Sequence, residues 1–253
     1  METRSALRSG ETSELVGKPV DSLFPMLLGL NQTIEELRFE TFASGPGISE
    51  RVGAALTAHD LRRFLGDGQL LPAPGISLWD KFASAAMAKP EIGAVPEDLI
   101  SAVIRHSPKP AESTYRVSST QIASQGIGKL TEQIGDNHIL AVCSRVTGAS
   151  GEEFHIPMLD FLCPCSESNR LSILRMLREI GESSGAIVES GRSYHYYGFR
   201  PLTRGDWVRF LARALMLAPF SDPRYIAHRL LDGQCRLRIY SRSRPMPKIA
   251  QVF

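Results

Sequence analysis

His155-Ile156-Pro157-Met158-Leu159-Asp160-Phe161 places one carboxylate inside an otherwise apolar run. An ionised carboxylate in such surroundings needs a metal, a cation or strong hydrogen-bond donors to offset desolvation. The alternative is a strand-end acid bonded to a neighbouring turn. Ser190-Gly191-Arg192-Ser193-Tyr194-His195-Tyr196-Tyr197-Gly198 is a glycine turn followed by an aromatic strand. Alternation puts Ser193, His195 and Tyr197 on one face and Tyr194 and Tyr196 on the other. Ser193 and His195 can therefore reach one ligand, which the glycine turn lets approach closely; a packed core histidine is the competing reading. Asp222-Pro223-Arg224-Tyr225 sets an acid before a helix, as an N-cap would. Arg236 and Arg238 share a strand face, either as phosphate ligands or as salt-bridged surface. Cys163-Pro164-Cys165 lacks the second Cys/His pair of a zinc site, so these cysteines read as structural.

The elements that carry these residues follow from periodicity. Ile139 to Val146 and Glu153 to Cys163 predict strands, the second mostly apolar and ended by Pro164. Ser166 to Glu182 predicts an amphipathic helix with Ile173, Leu174, Leu177 and Ile180 as its buried stripe. Gly185–Glu189 and Ser193–Phe199 read as strands. Thr203 starts a helix closed by Asp206 and buried through Trp207, Phe210, Leu211, Ala214 and Leu215. A short helix over Asp222–Leu231 and strands over Cys235–Tyr240 and Lys248–Phe253 complete an α+β domain with helices on an antiparallel or mixed sheet. Ahead of it, residues 1–20 read as a loose tail, 21–116 as a mostly helical region, and 117–136 as a linker. Helices are expected near 57–65, 77–88 and 96–104, with Thr57 and Pro96 as starts.

Charge divides the 253 residues unevenly. From Ser166 onward there are 15 Lys and Arg against 7 Asp and Glu; before it there are 14 against 20. Lys248 is the sole lysine of the basic part, and arginine's planar fork suits phosphate oxygens, so a polyanionic ligand is expected there. An arginine-rich surface without a ligand is the alternative. A hydrophobic fraction of 43% is enough for an ordinary core. Four cysteines without disulfide spacing, no charged-then-apolar leader and no apolar run of membrane length predict a reduced, cytoplasmic chain away from the membrane.

In order and spacing, the three stretches resemble the catalytic core of the archaeo-eukaryotic primase-polymerase superfamily. That core carries Asp-x-Asp on one strand, Ser-x-His on the next hairpin, a further Asp after a helix and a basic residue on the following strand. Asp160 falls on the first acid, Ser193-Tyr194-His195 is a full Ser-x-His, Asp222 falls on the last acid, and Arg238 matches the basic position. The second acid of Asp-x-Asp is replaced by Leu162. The resemblance is thus to the divergent members with a single aspartate there, which are associated with mobile elements and anti-phage systems. It covers residues 137–253 and implies a primase-polymerase-like (RRM-like) sheet.

The resemblance also implies chemistry. Asp160 and Asp222 would hold Mg²⁺ or Mn²⁺; Ser193, His195, Arg236 and Arg238 would bind a nucleoside triphosphate, with Asp160, Asp222 and His195 as the catalytic group. DNA or RNA would be the second substrate, and the N-terminal region a surface for a protein partner. His155 has the wrong strand parity to replace the missing acid. Three readings stay open: a nucleotidyltransferase, a nucleotide- or nucleic-acid-binding module of the same fold without turnover, and a structural or interaction protein.

Overall fold

The computed structural model describes residues 13–44 and 111–253, together with helical positions at Ser84, Met87, Ala88, Glu97 and Ile100. The helices expected near 57–65, 77–88 and 96–104 lie, apart from those isolated positions, outside the described residues. Two compact units are present, one of residues 44–108 and one of the rest, which holds every described strand.

A 3-10 turn at Val20–Ser22 leads into helix α1 (Leu23–Leu30) and strand β1 (Ile34–Ala43). After the other unit come β2 (Ser113–Ser118), short helices α2 (Ser119–Gln125) and α3 (Gly128–Glu132), and the long β3 (His138–Gly148). Then follow β4 (Glu153–His155), β5 (Met158–Asp160), α4 (Glu167–Glu179), β6 (Gly185–Glu189) and β7 (Tyr194–Gly198). Helices α5 (Arg204–Leu215) and α6 (Pro223–Asp232) precede β8 (Arg236–Ser241) and β9 (Lys248–Val252). The α+β class expected from the sequence is the one observed, with every strand pairing antiparallel.

The strands sort into two sheets. One runs β2-β1-β3-β4, with β8 pairing the other half of the β3 edge that β4 occupies; the second runs β5-β7-β6-β9. The single strand expected over Glu153–Cys163 is accordingly two strands in different sheets. Pro157 has no N–H for a ladder, and the chain turns there: Ile156 donates to the Ser144 carbonyl at 2.7 Å, while the Pro157 carbonyl accepts from Gly198 at 2.8 Å. His155 seals this junction, stacked on Trp207 at 4.4 Å with Nδ1 3.2 Å from the Ser144 hydroxyl.

Residues 21–44, expected to belong to a helical region, supply an inner strand of the first sheet. β1 is paired to β2 on one edge and to β3 on the other. Its Leu37 and Phe39 are buried, with Phe39 edge-on to Phe24 of α1 at 5.6 Å. The end of the expected tail is also tied down: Gly17 donates to the Ile249 carbonyl at 2.7 Å and Val20 to that of Pro247 at 3.0 Å. In the expected linker, Ser118 and Gln121 form a capping box that starts α2.

The helices over the second sheet match their patterns. Ser166 caps α4, whose Ile173, Leu174 and Leu177 are buried. Thr203 caps α5, whose Trp207, Phe210, Leu211 and Ala214 are buried, whereas Leu215 is exposed.

Candidate functional site

Asp160 ends β5 directly opposite His195 of β7. Its carbonyl accepts from the Asp222 amide at 2.9 Å, flanked by bonds from Phe161 to the Tyr194 carbonyl and from Leu162 to that of Phe220. Three residues far apart in sequence thus meet because the segment before α6 runs against β5. Asp222 caps α6, its Oδ1 accepting from Arg224 at 2.9 Å and Tyr225 at 3.1 Å. The N-cap expectation and the proximity to Asp160 both hold for the one residue.

The arginines enter from the first sheet. Arg236 and Arg238 lie on one face of β8, but their surroundings differ. Arg238 donates Nη1 to the Pro245 carbonyl at 2.8 Å and Nη2 to the Ser190 carbonyl, joining the turn after β8 to the turn before β7. Arg236 is bound to carboxylates: Nε to Glu40 at 2.6 Å and Nη1 to Asp232 at 3.0 Å. Glu40, fully buried, also takes Arg38 at 2.7 Å and Gln234 at 3.2 Å. Arg236 is therefore part of a buried ionic network, and its fork is occupied.

These groups line one cleft of about 610 Å³, with Asp160 and His195 on one wall, Ser190 to Ser193 on another, and Arg236, Arg238, Arg244 and Tyr225 around them. That volume is in the range of small-ligand sites, roughly 300–1,000 Å³. Asp222 does not line the cleft; it sits behind Asp160, to which it is hydrogen-bonded. Ser193 is half-buried, its hydroxyl 3.3 Å from that of Ser190. Arg244 has a signal in the sequence, the basic Arg242-Ser243-Arg244-Pro245 turn. Glu40 has none.

The electrostatics are those of crowded like charges. Burial, then repulsion from Asp222, raises the Asp160 carboxyl to about 7, against the pull of Arg238. Its side chain keeps 32% exposure, so it faces the cleft from dense surroundings. Burial, then Arg238, lowers His195 to about 3. His195 is thus neutral at pH 7, and its 3.7 Å approach to Asp160 is neither an ion pair nor a hydrogen bond. Arg238 is lowered by burial and then by Arg244 beside it. Asp160, on the cleft wall, is repelled by Asp222 behind it, and Arg238 within the cleft is repelled by Arg244. A bound cation relieves the first pair and a bound anion the second.

Among the described residues no group of three or more His, Cys, Asp or Glu could hold a metal. The neighbouring carboxylates that could serve are those of Asp160 and Asp222. They fit a hard divalent cation of the Mg²⁺ kind, which needs only one or two carboxylates when water and substrate phosphates complete its shell. No helix among the described residues is long and apolar enough to cross a membrane.

Residues 118–251 match a family model described as archaeo-eukaryotic primase 1D-like. No curated protein and no solved structure matches the chain.

Proposed function

The chain belongs to the archaeo-eukaryotic primase family, and from that premise we propose that its cleft binds a nucleoside triphosphate with Mg²⁺ or Mn²⁺ and transfers the nucleotide to a nucleic-acid strand. The observation that carries this is the arrangement of charge around one cleft: Asp160 in its wall with Asp222 directly behind, and Arg238 and Arg244 in the same lining. A metal–triphosphate complex has the complementary arrangement.

Each residue then has a task. Asp160, with Asp222 behind it, would hold the cation. Bound there, the cation supplies neutralisation of triphosphate charge and activation of the attacking 3′-hydroxyl. Arg238 would donate charge-assisted hydrogen bonds to phosphate oxygens, and Arg244 would add to the field. Neutral His195 offers one N–H to a phosphate oxygen and does not compete with Asp160 for charge. Ser193 and the Gly191 turn let the phosphates approach the backbone closely. Arg236 has a supporting role, fixing β8 to β1 and α6 through Glu40 and Asp232.

A second reading rests on Leu162. The acid that would complete a two-cation site is a leucine whose amide is bound to the Phe220 carbonyl, so binding without transfer is favoured at that one position. Incubating the protein with labelled NTPs or dNTPs, Mn²⁺ and single-stranded DNA separates the two. Extended products that disappear in Asp160→Ala support transfer. Saturable Mn²⁺-dependent nucleotide binding without product supports the binding module. Neither activity in the wild type would overturn both.

A further inference from the structure

A second cleft lies at the opposite end of β7 from His195. It has a volume of about 380 Å³ and opens between the C-terminal end of α4, the Arg200–Thr203 segment and one face of α5. Arg200, Arg209 and Arg213 line it, all exposed. Two acids lie among them. Glu182 is buried and its carboxylate accepts the Tyr196 hydroxyl at 2.7 Å. Asp206 holds Arg209 at 3.0 Å, but both side chains are largely exposed, and such pairs exchange readily for another anion. Arg213 donates one Nη1 bond to the Ile180 carbonyl at 3.3 Å, leaving the rest of its fork. Arg200 is in no ion pair with a described residue and lies within electrostatic reach of Glu182 and Asp206.

The opposite wall is apolar. Phe154, half-buried on β4, stands beside buried Leu202 and Phe210. An aromatic surface next to several guanidinium groups fits a ligand with a flat base and a phosphate, the repeating unit of an unpaired nucleic-acid strand. A duplex keeps its bases stacked inside and has no use for the apolar wall.

We propose that this cleft is a binding site for single-stranded nucleic acid, with a backbone phosphate on Arg209 and Arg213, Arg200 at the entrance, and a base against Phe154. The assignment rests on the functional reading above only in taking nucleic acid as a substrate. It gives the chain two separate clefts for its ligands, the reactive one at one end of β7 and a strand-holding one at the other.

The test is fluorescence anisotropy of a labelled single-stranded oligonucleotide titrated with the full chain at several salt concentrations. The proteins compared are wild type, Arg209→Ala/Arg213→Ala, Phe154→Ala and Asp160→Ala. The double arginine variant should raise Kd roughly tenfold and flatten the salt dependence by about 0.7 for each phosphate no longer neutralised. Its Mn²⁺-dependent ATP binding should stay at the wild-type level, with an unchanged thermal melt as the control for folding. Phe154→Ala should raise Kd with no change in salt slope. Asp160→Ala should lose ATP binding and keep the oligonucleotide, so a failure of the first cleft is read separately. Unchanged oligonucleotide affinity in the arginine variant would overturn the proposal, as would undetectable binding by the wild type. Loss of free ATP binding in place of oligonucleotide binding would overturn it too, by making this a mononucleotide site.

Discussion

Asp160 stands at the centre of the proposed chemistry, and its protonation makes that chemistry testable. A carboxyl raised to about 7 carries a proton over much of the physiological range. A cation must displace that proton, so Mn²⁺ affinity should fall about tenfold per pH unit below 7 and level off above it. Calorimetric titration between pH 5.5 and 8.5 checks this; a flat profile would place the cation elsewhere. The same shift bears on stability. The folded value lies above the unfolded one of 3.8, so the group's contribution is complete below pH 3.8 and is lost as pH rises through 7. Asp160→Asn should therefore stabilise the metal-free protein at pH 8 by on the order of 1 kcal/mol and lose cation binding. A melt in the presence of chelator would show it. Asp160, Ser193, His195, Asp222 and Arg238 all stand out in the sequence as candidates for chemistry, because unusual polar groups in apolar strands are few. The cleft that Asp160, Ser193, His195 and Arg238 share is not legible there, since it depends on the β5–β7 pairing and on the Arg238–Ser190 bond, which no spacing encodes.

Among the elements, β8 carries two arginines that look alike in sequence and are predicted to behave differently. Arg236→Ala removes a partner from buried Glu40 and should cost about 3 kcal/mol of stability. Arg238→Ala leaves two carbonyl groups at an open cleft and should cost little stability while weakening ATP binding roughly tenfold. Chemical denaturation paired with nucleotide titration distinguishes them. The β4–β5 junction has its own signature. Burial lowers His155 to about 4 from an ordinary 6.5, the Arg145 charge adding to the effect. Its neutral form is the folded one, so stability is full above pH 6.5 and lost as pH falls toward 4. Thermal melts should track that window, and less steeply in His155→Gln. Pro157 marks this break in the sequence, but a continuous apolar run outweighs it. β1 is hidden for a different reason. Ile34–Ala43 carries charges at Glu35, Glu36, Arg38 and Glu40, and a buried carboxylate with two arginine partners cannot be told from a solvated one until the partners are placed.

On the scale of the whole molecule, the family match begins at residue 118, yet the sheet needs β1 from residues 34–43. A chain cut to 118–251 loses β1 and all but the last residue of β2, and exposes the core face that Leu37 and Phe39 cover. It should fail to melt cooperatively, whereas the full chain should show a single transition for this unit. The basic character of the C-terminal part is legible from composition and is distributed over two clefts and α5, which composition does not resolve. Nucleotide binding at the Asp160 cleft is tested most directly by titrating ATP into the full chain with Mn²⁺, with chelator, and with Asp160→Ala or Arg238→Ala in Mn²⁺. Saturable binding is predicted for the wild type in Mn²⁺, abolished by chelator and by Asp160→Ala and weakened about tenfold by Arg238→Ala. ATP binding of equal strength in all four samples would contradict it.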